Sequence, residues 1–197
     1  MTQALVKLDE ARVDPVAAHV RRARAGDERS FERLLDDRIA SLLRLALAIV
    51  GDEHDARDAV QQACVQAWRE LPRLREPDRF DAWLGRILTN QCRTMLRSRR
   101  RRRVREVAVS DLDVVAGGGL GGRSVAGPGD ESADLDTLSR AFDRLDPDAR
   151  VLLALHHLEG RSVAEIAARM DAPQSTIKWR LHTARGALER ALEVERR

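Results

Sequence analysis

The sequence predicts an all-α protein built from two small helical domains joined by a flexible linker. Apolar residues recur at helical spacing along most of the 197 residues, and no segment alternates apolar and polar residues as a half-buried strand does. Residues 106–136 are rich in glycine and acids and lack a sustained period, which is typical of a linker. We therefore expect an N-terminal extension with the start of the first helix in 1–24, a first domain in 25–105, the linker in 106–136 and a second domain in 137–197.

The charge of the chain is concentrated locally rather than high overall. The formal net charge is +3, and arginine supplies nearly all the cations, since Lys7 and Lys178 are the only lysines. No apolar run is long enough to span a bilayer, and no secretory leader is recognisable at the N-terminus. We expect a soluble, cytoplasmic protein without membrane insertion.

The cysteines and the paired histidines do not indicate a metal or a cofactor. Cys64 and Cys92 each fall on or beside an apolar helical stripe rather than in a Cys-x-x-Cys pair, which favours buried free thiols over a redox or metal role. His156 and His157 point to different faces of any helix, and the local sequence offers no further ligands. We expect no metal, no cofactor and no catalytic residue.

The first domain has a central helix that is apolar over much of its circumference. This pattern runs from Asp27 to Val50 and is ended by Gly51. The next helix, over residues 52–71, turns a stripe of alanines towards the core. Its other face is either plainly solvated or binds a partner, and composition does not separate the two. That face carries Arg57, Asp58, Gln61, Gln62, Val65 and Arg69.

A third helix, beginning near Arg79 after the proline-containing loop 72–78, carries a row of cations. Arg86, Asn90, Arg93 and Arg97 follow one another at the i, i+4, i+7, i+11 spacing of a single face. Residues 97–105 contain seven arginines, a density that repels itself unless an anion lies alongside. A nucleic-acid backbone is the favoured interpretation, and a solvated charged tail is the alternative.

Two features near this row relate to base recognition. Asn90 is a neutral amide inside an arginine row, and an amide can both donate and accept towards a base edge. Trp68, Phe80 and Trp83 cluster around the junction of loop and helix. They either belong to the core or hold a base flipped out of single-stranded DNA.

The second domain ends in two short amphipathic helices around a tight turn, over residues 162–188. Ser162 and Glu165 form a capping-box pattern, and Pro173 suits the first position of the second helix. That helix has one apolar stripe, and no acidic residue occurs between Pro173 and Leu188. A polar face bordered by cations is what a helix in the DNA major groove needs, whereas the alternative is an ordinary helical hairpin with a solvated basic face. The stripe consists of Ile177, Leu181, Ala184 and Leu188, and the opposite side of Ser175, Trp179, His182, Thr183 and Gly186, with Lys178 and Arg185 on one border and Arg180 on the other.

The order of these segments resembles a bacterial sigma factor of the extracytoplasmic-function (ECF) group, in the sigma-70 family. The resemblance is carried by AGDERSFERLL, DARDAVQQACVQAWREL, RFDAWLGRILTNQCRTMLRSRRRR and LDPDARVLLALHHLEGRSVAEIAARMDAPQSTIKWRLHTARGALERAL, in that order. It implies a sigma-2 helical bundle over 25–105 and a sigma-4 helix-turn-helix domain from about residue 138 to 192. It also implies an RNA polymerase subunit that recognises the minus-35 and minus-10 promoter elements and promotes melting and transcription initiation.

The resemblance assigns partners and residues. The partners are promoter DNA, core RNA polymerase through the clamp helices of its largest subunit and the flap of its second-largest subunit, and an anti-sigma factor. The implied contacts to the polymerase are Asp55, Asp58, Gln61, Gln62 and Val65. The implied minus-10 contacts are Arg75, Arg86, Asn90, Arg93, Arg97 and Arg100. The implied minus-35 contacts are Ser175, Thr176, Lys178, Trp179, Arg180, His182, Thr183 and Arg185.

Two positions depart from the family pattern, and two other classes of protein fit the sequence less well. Relatives usually have a small residue where this chain has Trp179 and a basic residue near Thr183, so the promoter preference is expected to differ. An ordinary helix-turn-helix repressor or activator would need a dimer surface and has no need of an arginine-rich first domain. A phosphoryl-transfer or metal enzyme would need ligand clusters that the sequence lacks.

Overall fold

The computed structural model describes residues 15–110 and 130–196, with side chains described in 15–102 and 133–196. Within these ranges the chain is helical and has no strand, which confirms the all-α prediction. Two 3-10 turns, Leu71–Arg73 and Pro77–Arg79, connect α4 to α5, and a π-helical segment, Ala154–Leu158, follows α7. The helices are α1 (Pro15–Arg24), α2 (Glu28–Asp36), α3 (Ile39–Val50), α4 (Glu53–Glu70), α5 (Phe80–Ser110), α6 (Asp130–Asp143), α7 (Pro147–Leu153), α8 (Val163–Met170) and α9 (Gln174–Glu195).

The single helix expected between Asp27 and Gly51 is two helices. α2 ends at Asp36 and α3 begins at Ile39. The side chain of Arg38 donates to the backbone oxygen of Leu34 at 2.9 Å, which satisfies a carbonyl at the end of α2. The predicted stop at Gly51 is confirmed, because this residue has a φ of 78° and its N–H donates to the carbonyl of Leu47.

The apolar circumference of α3 has a structural reason, since this helix packs on two sides. One side contacts α4 and α5 of its own domain, and the other contacts α7 and the π-helical segment of the second domain. The buried residues of both domains therefore form one continuous core. The sequence predicted the helical segment from Asp27 to Val50, which includes α3, as the centre of the first domain's core, but it did not indicate that the second domain completes that core. Its fully buried members include Leu45, Ile49, Leu84, Leu88, Leu152, Leu155, Ile166 and Ile177.

A smaller apolar cluster belongs to the second domain alone. Leu145, Ala149, Leu153 and Ala184 are buried there, with Phe142 packed against them. Asp146 caps α7 by accepting from the backbone N–H groups of residues 148 and 149. The segment after α7 ends at Gly160, which has a φ of 64°. This cluster holds α6, α7 and α9 together and so fixes the position of the last helix.

Helical structure extends into both ends of the predicted linker. α5 continues through the arginine run to Ser110, and α6 begins at Asp130, so 106–110 and 130–136 are helical. No glycine or proline interrupts the chain between residue 86 and residue 116, and arginine is a good helix former. Residues 111–129 of the predicted linker and residues 1–14 of the N-terminal extension lie outside the described residues. No described helix has the length and apolar character needed to cross a bilayer.

Candidate nucleic-acid interface

The helix-turn-helix of the second domain is built by the local contacts that the sequence predicts. The hydroxyl of Ser162 accepts from the Glu165 N–H at 3.3 Å, and the Glu165 carboxylate accepts from the Ser162 N–H at 2.9 Å, which is the complete capping box. These bonds hold the pKa of Glu165 down at about 2, with a further contribution from Arg161. The turn is made by Asp171 in the left-handed region, with a φ of 51°.

The sequence predicts Pro173 as the first residue of α9, whereas in the structure it precedes the first helical residue. It is the N-cap of α9 rather than the first helical residue, because its ψ of 144° is extended. Proline fits this position as well, since its φ of −60° leads directly into the helix. α9 therefore begins at Gln174, and the phase of its faces is unchanged.

The two predicted faces of α9 separate in the structure. Ile177, Leu181 and Ala184 are buried and Leu188 is half-buried. On the opposite side the indole of Trp179 is 66% exposed, and the Thr183 hydroxyl donates to the Trp179 carbonyl at 3.1 Å. This hydroxyl keeps its acceptor lone pairs available to a ligand. The other implied minus-35 residues are exposed except Thr176, which is half-buried; they are Ser175, Lys178, Arg180, His182 and Arg185.

The outward face of α9 can do what base reading requires. It combines an indole that can contact thymine methyl groups, an imidazole and two hydroxyls that can bond to base edges, and cations that can contact phosphates. A rigid helix presents these groups, and its apolar stripe anchors it to the core. The sequence-predicted residues of this face are thus brought together.

The arginine row of the first domain lies along α5, with one member partly covered. Arg86, Asn90 and Arg97 are exposed, whereas Arg93 is half-buried. The Nη1 atom of Arg93 donates to Oδ1 of Asn90 at 3.4 Å, which leaves the amide nitrogen of Asn90 free of that contact. The two further residues implied for the minus-10 element, Arg75 between the 3-10 turns and Arg100 on α5, are exposed.

Two arginines of this row contact the second domain. Nε of Arg93 lies 2.5 Å from Oδ1 of Asp148, and Nη2 of Arg97 lies 3.1 Å from Oδ2 of the same carboxylate. Asp148 lies in the first turn of α7. Sequence reasoning missed this residue, because an acid in a first turn is explained by the helix dipole alone.

The aromatic residues near the start of α5 pack in the first domain. Phe31 and Trp68 have ring centroids 5.1 Å apart, and Phe80 and Trp83 have centroids 5.8 Å apart. Phe80 is fully buried, and both tryptophans are partly buried members of the core. The packing favours the core interpretation for Phe80 and leaves an accessible edge on the tryptophans.

Some residues on the outer face of α4 are exposed, and others pair with neighbouring side chains. Gln61 and Gln62 are exposed, and Val65 is 46% exposed beside them. Asp58 is half-buried near His54. Asp55 forms an ion pair with Arg99 of α5 and is only 16% exposed, so it is the least accessible of the residues implied for polymerase binding.

The two cysteines differ in burial, and one histidine of the pair contacts a backbone carbonyl. Cys64 is half-buried and Cys92 is buried, and burial raises the pKa of the Cys92 thiol to about 12. Nδ1 of His156 lies 2.9 Å from the carbonyl oxygen of Arg161, which follows the π-helical segment. Across 15–110 and 130–196, no three histidine, cysteine or acidic side chains are grouped to hold a metal ion.

Comparisons with known proteins match both domains. Residues 34–102 match Sigma-70 region 2, and residues 135–188 match Sigma-70, region 4. The RNA polymerase sigma-H factor of Pseudomonas aeruginosa is 31% identical over 180 residues, covering 88% of this chain and 92% of that protein. The ECF RNA polymerase sigma-E factor of Escherichia coli K12 is 30% identical over 186 residues, with the same coverage of 88% and 92%.

Two solved structures have a similar fold. One is CnrH in complex with the cytosolic domain of CnrY, at 27% identity and a TM-score of 0.61, covering 92% of this chain and 99% of that one. The other is the sigma factor RpoE in complex with the anti-sigma factor NepR from Bartonella quintana. It has 27% identity and a TM-score of 0.58, covering 83% of this chain and 97% of that one.

The paired domains and their matches define an RNA polymerase sigma factor. The chain belongs to the ECF group of the sigma-70 family and functions with RNA polymerase in transcription initiation. Its relatives are sigma factors rather than enzymes.

Proposed function

We propose that this sigma factor recognises a minus-35 element through α9, reads and holds an opened minus-10 strand through α5, and thereby promotes promoter melting. The observation that carries the proposal is the exposed face of α9, whose DNA-facing groups include Trp179 and no acid between Pro173 and Leu188. Such a face reads base edges and binds phosphates at once. The action is one of binding, without hydrolysis or a cofactor.

The minus-10 function rests on the mixed chemistry of α5. Asn90 is exposed beside Arg86, so one amide that can bond to a base is flanked by cations that can bind backbone. Melting then follows from the capture of open bases. Bases that open spontaneously are held by Asn90 and the neighbouring surface, and this shifts the equilibrium from the closed duplex towards the open promoter. The partly exposed edges of Trp68 and Trp83 lie in the same domain and could stack such bases.

The outer face of α4 is proposed to dock on the clamp helices of the largest polymerase subunit. Gln61, Gln62 and Val65 form an exposed patch of mixed polarity, which is the composition of a protein interface rather than of a nucleic-acid interface. The second domain is proposed to contact the flap of the second-largest subunit. Both contacts would set the distance between Asn90 and α9 along the promoter.

An anti-sigma factor is proposed as a further partner, in the cytoplasm. The RpoE structure similar to this chain was solved with an anti-sigma factor, and the CnrH structure was solved with the cytosolic domain of CnrY. The similarity covers both domains of this chain, so a partner that engages the two domains together could be accommodated.

Reconstitution with core polymerase tests the proposal. The protein is mixed with core enzyme and fragmented genomic DNA, and the 5′ ends of the transcripts are sequenced. We expect initiation at a set of sites that share two spaced elements, with permanganate-reactive thymines at the downstream element. If the chain shifts these fragments equally well without polymerase and supports no transcript, it is an ordinary DNA-binding regulator and the proposal is wrong.

A pair of variants separates polymerase binding from DNA binding. Gln61→Ala combined with Gln62→Ala should weaken co-purification with core enzyme, because the pair lies in the proposed docking patch. Glu28→Ala combined with Glu32→Ala changes two exposed residues of α2 and should leave co-purification unchanged. Equal retention of core enzyme by both double variants would place the docking surface elsewhere.

A further inference from the structure

The outward face of α9 contains a glycine that packing within the chain does not explain. At 100° per residue, Gly186 lies about 20° from Trp179 around the helix, so the two share a face. Among the described residues, a Cβ atom at Gly186 would meet only the Arg190 side chain, with Nη1 at 3.4 Å. Glycine inside a helix lowers its stability relative to alanine. The fold therefore gives no reason for the missing side chain.

The guanidinium of Arg190 lies over this glycine. Arg190 follows Gly186 by four residues and is also about 20° from Trp179 around the helix, on the other side. Helical side chains point towards the N-terminus of their helix, so the Arg190 side chain extends back towards Trp179. The 3.4 Å spacing shows that a larger residue at 186 would compete with the guanidinium for this space.

Arg190 is an exposed cation without an acidic partner in the part of the chain whose side chains the structure describes. Glu189 and Glu193 lie close to it in sequence, but neither forms an ion pair with it. Arg140 and Arg144 of α6, by contrast, both pair with Glu195 near the end of α9. The guanidinium of Arg190 is thus available to an anion outside the chain.

The spacing along α9 matches the width of the DNA major groove. From Ser175 to Thr183 the helix rises about 12 Å, and the major groove of B-DNA is about 12 Å wide. A helix that crosses the groove with residues 175–183 between the two strands meets a phosphate backbone just beyond Thr183. Gly186 lies about 4.5 Å further along the axis. The missing side chain leaves room at the level where the far strand passes.

We propose that Gly186 and Arg190 form a phosphate contact at the far strand of the groove. The absence of a side chain at Gly186 lets the DNA backbone approach α9, and Arg190 reaches over this position to bind a phosphate. Arg190 is thus a further DNA-binding residue, and Gly186 is a positioning residue that acts through it. The contact fixes how deeply Trp179 enters the groove and carries no sequence preference of its own. This inference rests on the proposed minus-35 role of α9.

Duplex binding by the full chain tests the role of the arginine. The probe is a fluorescein-labelled DNA duplex of mixed sequence, and fluorescence anisotropy is measured between about 50 and 200 mM salt. Arg190→Ala should bind about threefold to tenfold more weakly at the lowest salt. The slope of log affinity against log salt should become shallower by about 0.9, because one phosphate contact is lost. Arg196→Ala removes another exposed cation near the end of α9 and should keep the natural slope.

A glutamine at residue 186 tests the role of the glycine without changing a charge. Glutamine is the better helix former, so Gly186→Gln should raise the melting temperature measured by circular dichroism. Its duplex affinity should nevertheless fall about threefold to tenfold, because the new side chain displaces the guanidinium of Arg190. When Arg190→Ala is present, Gly186→Gln should not lower the salt slope further, since the phosphate contact is already absent.

Three results would overturn the proposal. In the first, Arg190→Ala and Arg196→Ala change the affinity and the salt slope equally, which would make Arg190 an ordinary surface cation. In the second, Gly186→Gln is more stable and binds the duplex as well as the natural chain. In the third, the natural chain does not bind the duplex at about 50 mM salt, where phosphate contacts are strongest.

Failure of this contact is distinguishable from failure of the proposed function. If the natural chain supports no transcription with core enzyme but Arg190→Ala lowers the salt slope, the phosphate contact stands and the promoter assignment fails. If transcription is supported and neither Arg190→Ala nor Gly186→Gln differs from the natural chain in duplex binding, the promoter assignment stands and the phosphate contact is wrong.

Discussion

Arg150 of the second domain donates from Nη1 to the backbone oxygen of Ile49 in the first domain, at 3.5 Å and across 101 residues of sequence. Ile49 lies in the last turn of α3, where backbone carbonyls lack helical partners and a cation is favourable. The same guanidinium pairs with Asp143 at 3.0 Å, and Arg150 is only 7% exposed. One buried cation thus connects the end of α3, the end of α6 and α7.

Replacement of this cation should destabilise the protein. Arg150→Ala leaves a carbonyl and a carboxylate without their charged donor, and we expect a loss of about 2 kcal/mol in the free energy of unfolding by urea denaturation. Arg79→Ala is the control, because Arg79 is 73% exposed and pairs with Glu76, which is 61% exposed. Its loss should stay below about 1 kcal/mol. Equal losses for the two variants would show that the contact to α3 contributes nothing.

Asn90→Ala should reduce open-complex formation about tenfold and leave binding to core polymerase unchanged. Asn90 is exposed on the arginine row, and one amide that bonds to a base contributes on the order of 1–3 kcal/mol. Permanganate reactivity at the downstream promoter element measures the opening, and gel filtration measures core binding. Thr94→Ala, one turn further along α5 and also exposed, is the control. Loss of core binding in Asn90→Ala would place this residue on the polymerase-facing surface instead.

Trp179→Ser should change which minus-35 sequence is preferred. The indole is 66% exposed on the outward face of α9, where it can contact apolar groups such as thymine methyls. Selection from promoters with a randomised upstream element should give a different consensus for the variant at one or two positions. Gln174→Ser, at the first exposed position of α9, should keep the natural consensus. An unchanged consensus in Trp179→Ser would exclude the indole from base reading.

The two thiols should differ in reactivity. Burial raises the pKa of Cys92 to about 12 and also raises the pKa of the half-buried Cys64. Because the thiolate is the reactive form, N-ethylmaleimide at pH 8 should modify Cys64 slowly and Cys92 only after denaturation. Mass spectrometry of tryptic peptides measures both sites. Rapid modification of Cys92 in the folded protein would show that α5 opens locally around this residue.

The capping box should contribute stability only above acidic pH. The pKa of Glu165 is lowered from 4.5 to about 2 by its bonds to Ser162 and then Arg161, so the folded state favours the carboxylate. Its contribution is therefore complete above pH 4.5 and is lost as the pH falls towards 2. The difference in melting temperature between the natural chain and Glu165→Gln should shrink over this interval. A difference that is constant from pH 6 to pH 2 would show that the carboxylate charge has no effect.

Much of the local structure depends on interactions between residues that are only a few positions apart in the sequence. The capping box at Ser162, the stop at Gly51 and the buried stripe from Ile177 to Ala184 depend on backbone bonds and helical spacing, which a sequence displays directly. The exposure of Trp179 follows in the same way from its place opposite that stripe. The break at Arg38 was missed, because a side chain that satisfies the last carbonyls of α2 leaves no change in the apolar period.

The fold class, the two domains and the composition of the α9 face were therefore determined by sequence alone, since each depends on periodicity and on the order of segments along the chain. The relation between the domains was decided only by tertiary structure. The shared core around α3, the contact of Arg169 with Gly85 and the pairing of Asp148 with Arg93 join residues that are tens of positions apart. Such contacts depend on the relative placement of packed helices, and no periodic signal encodes which acid meets which arginine across a linker.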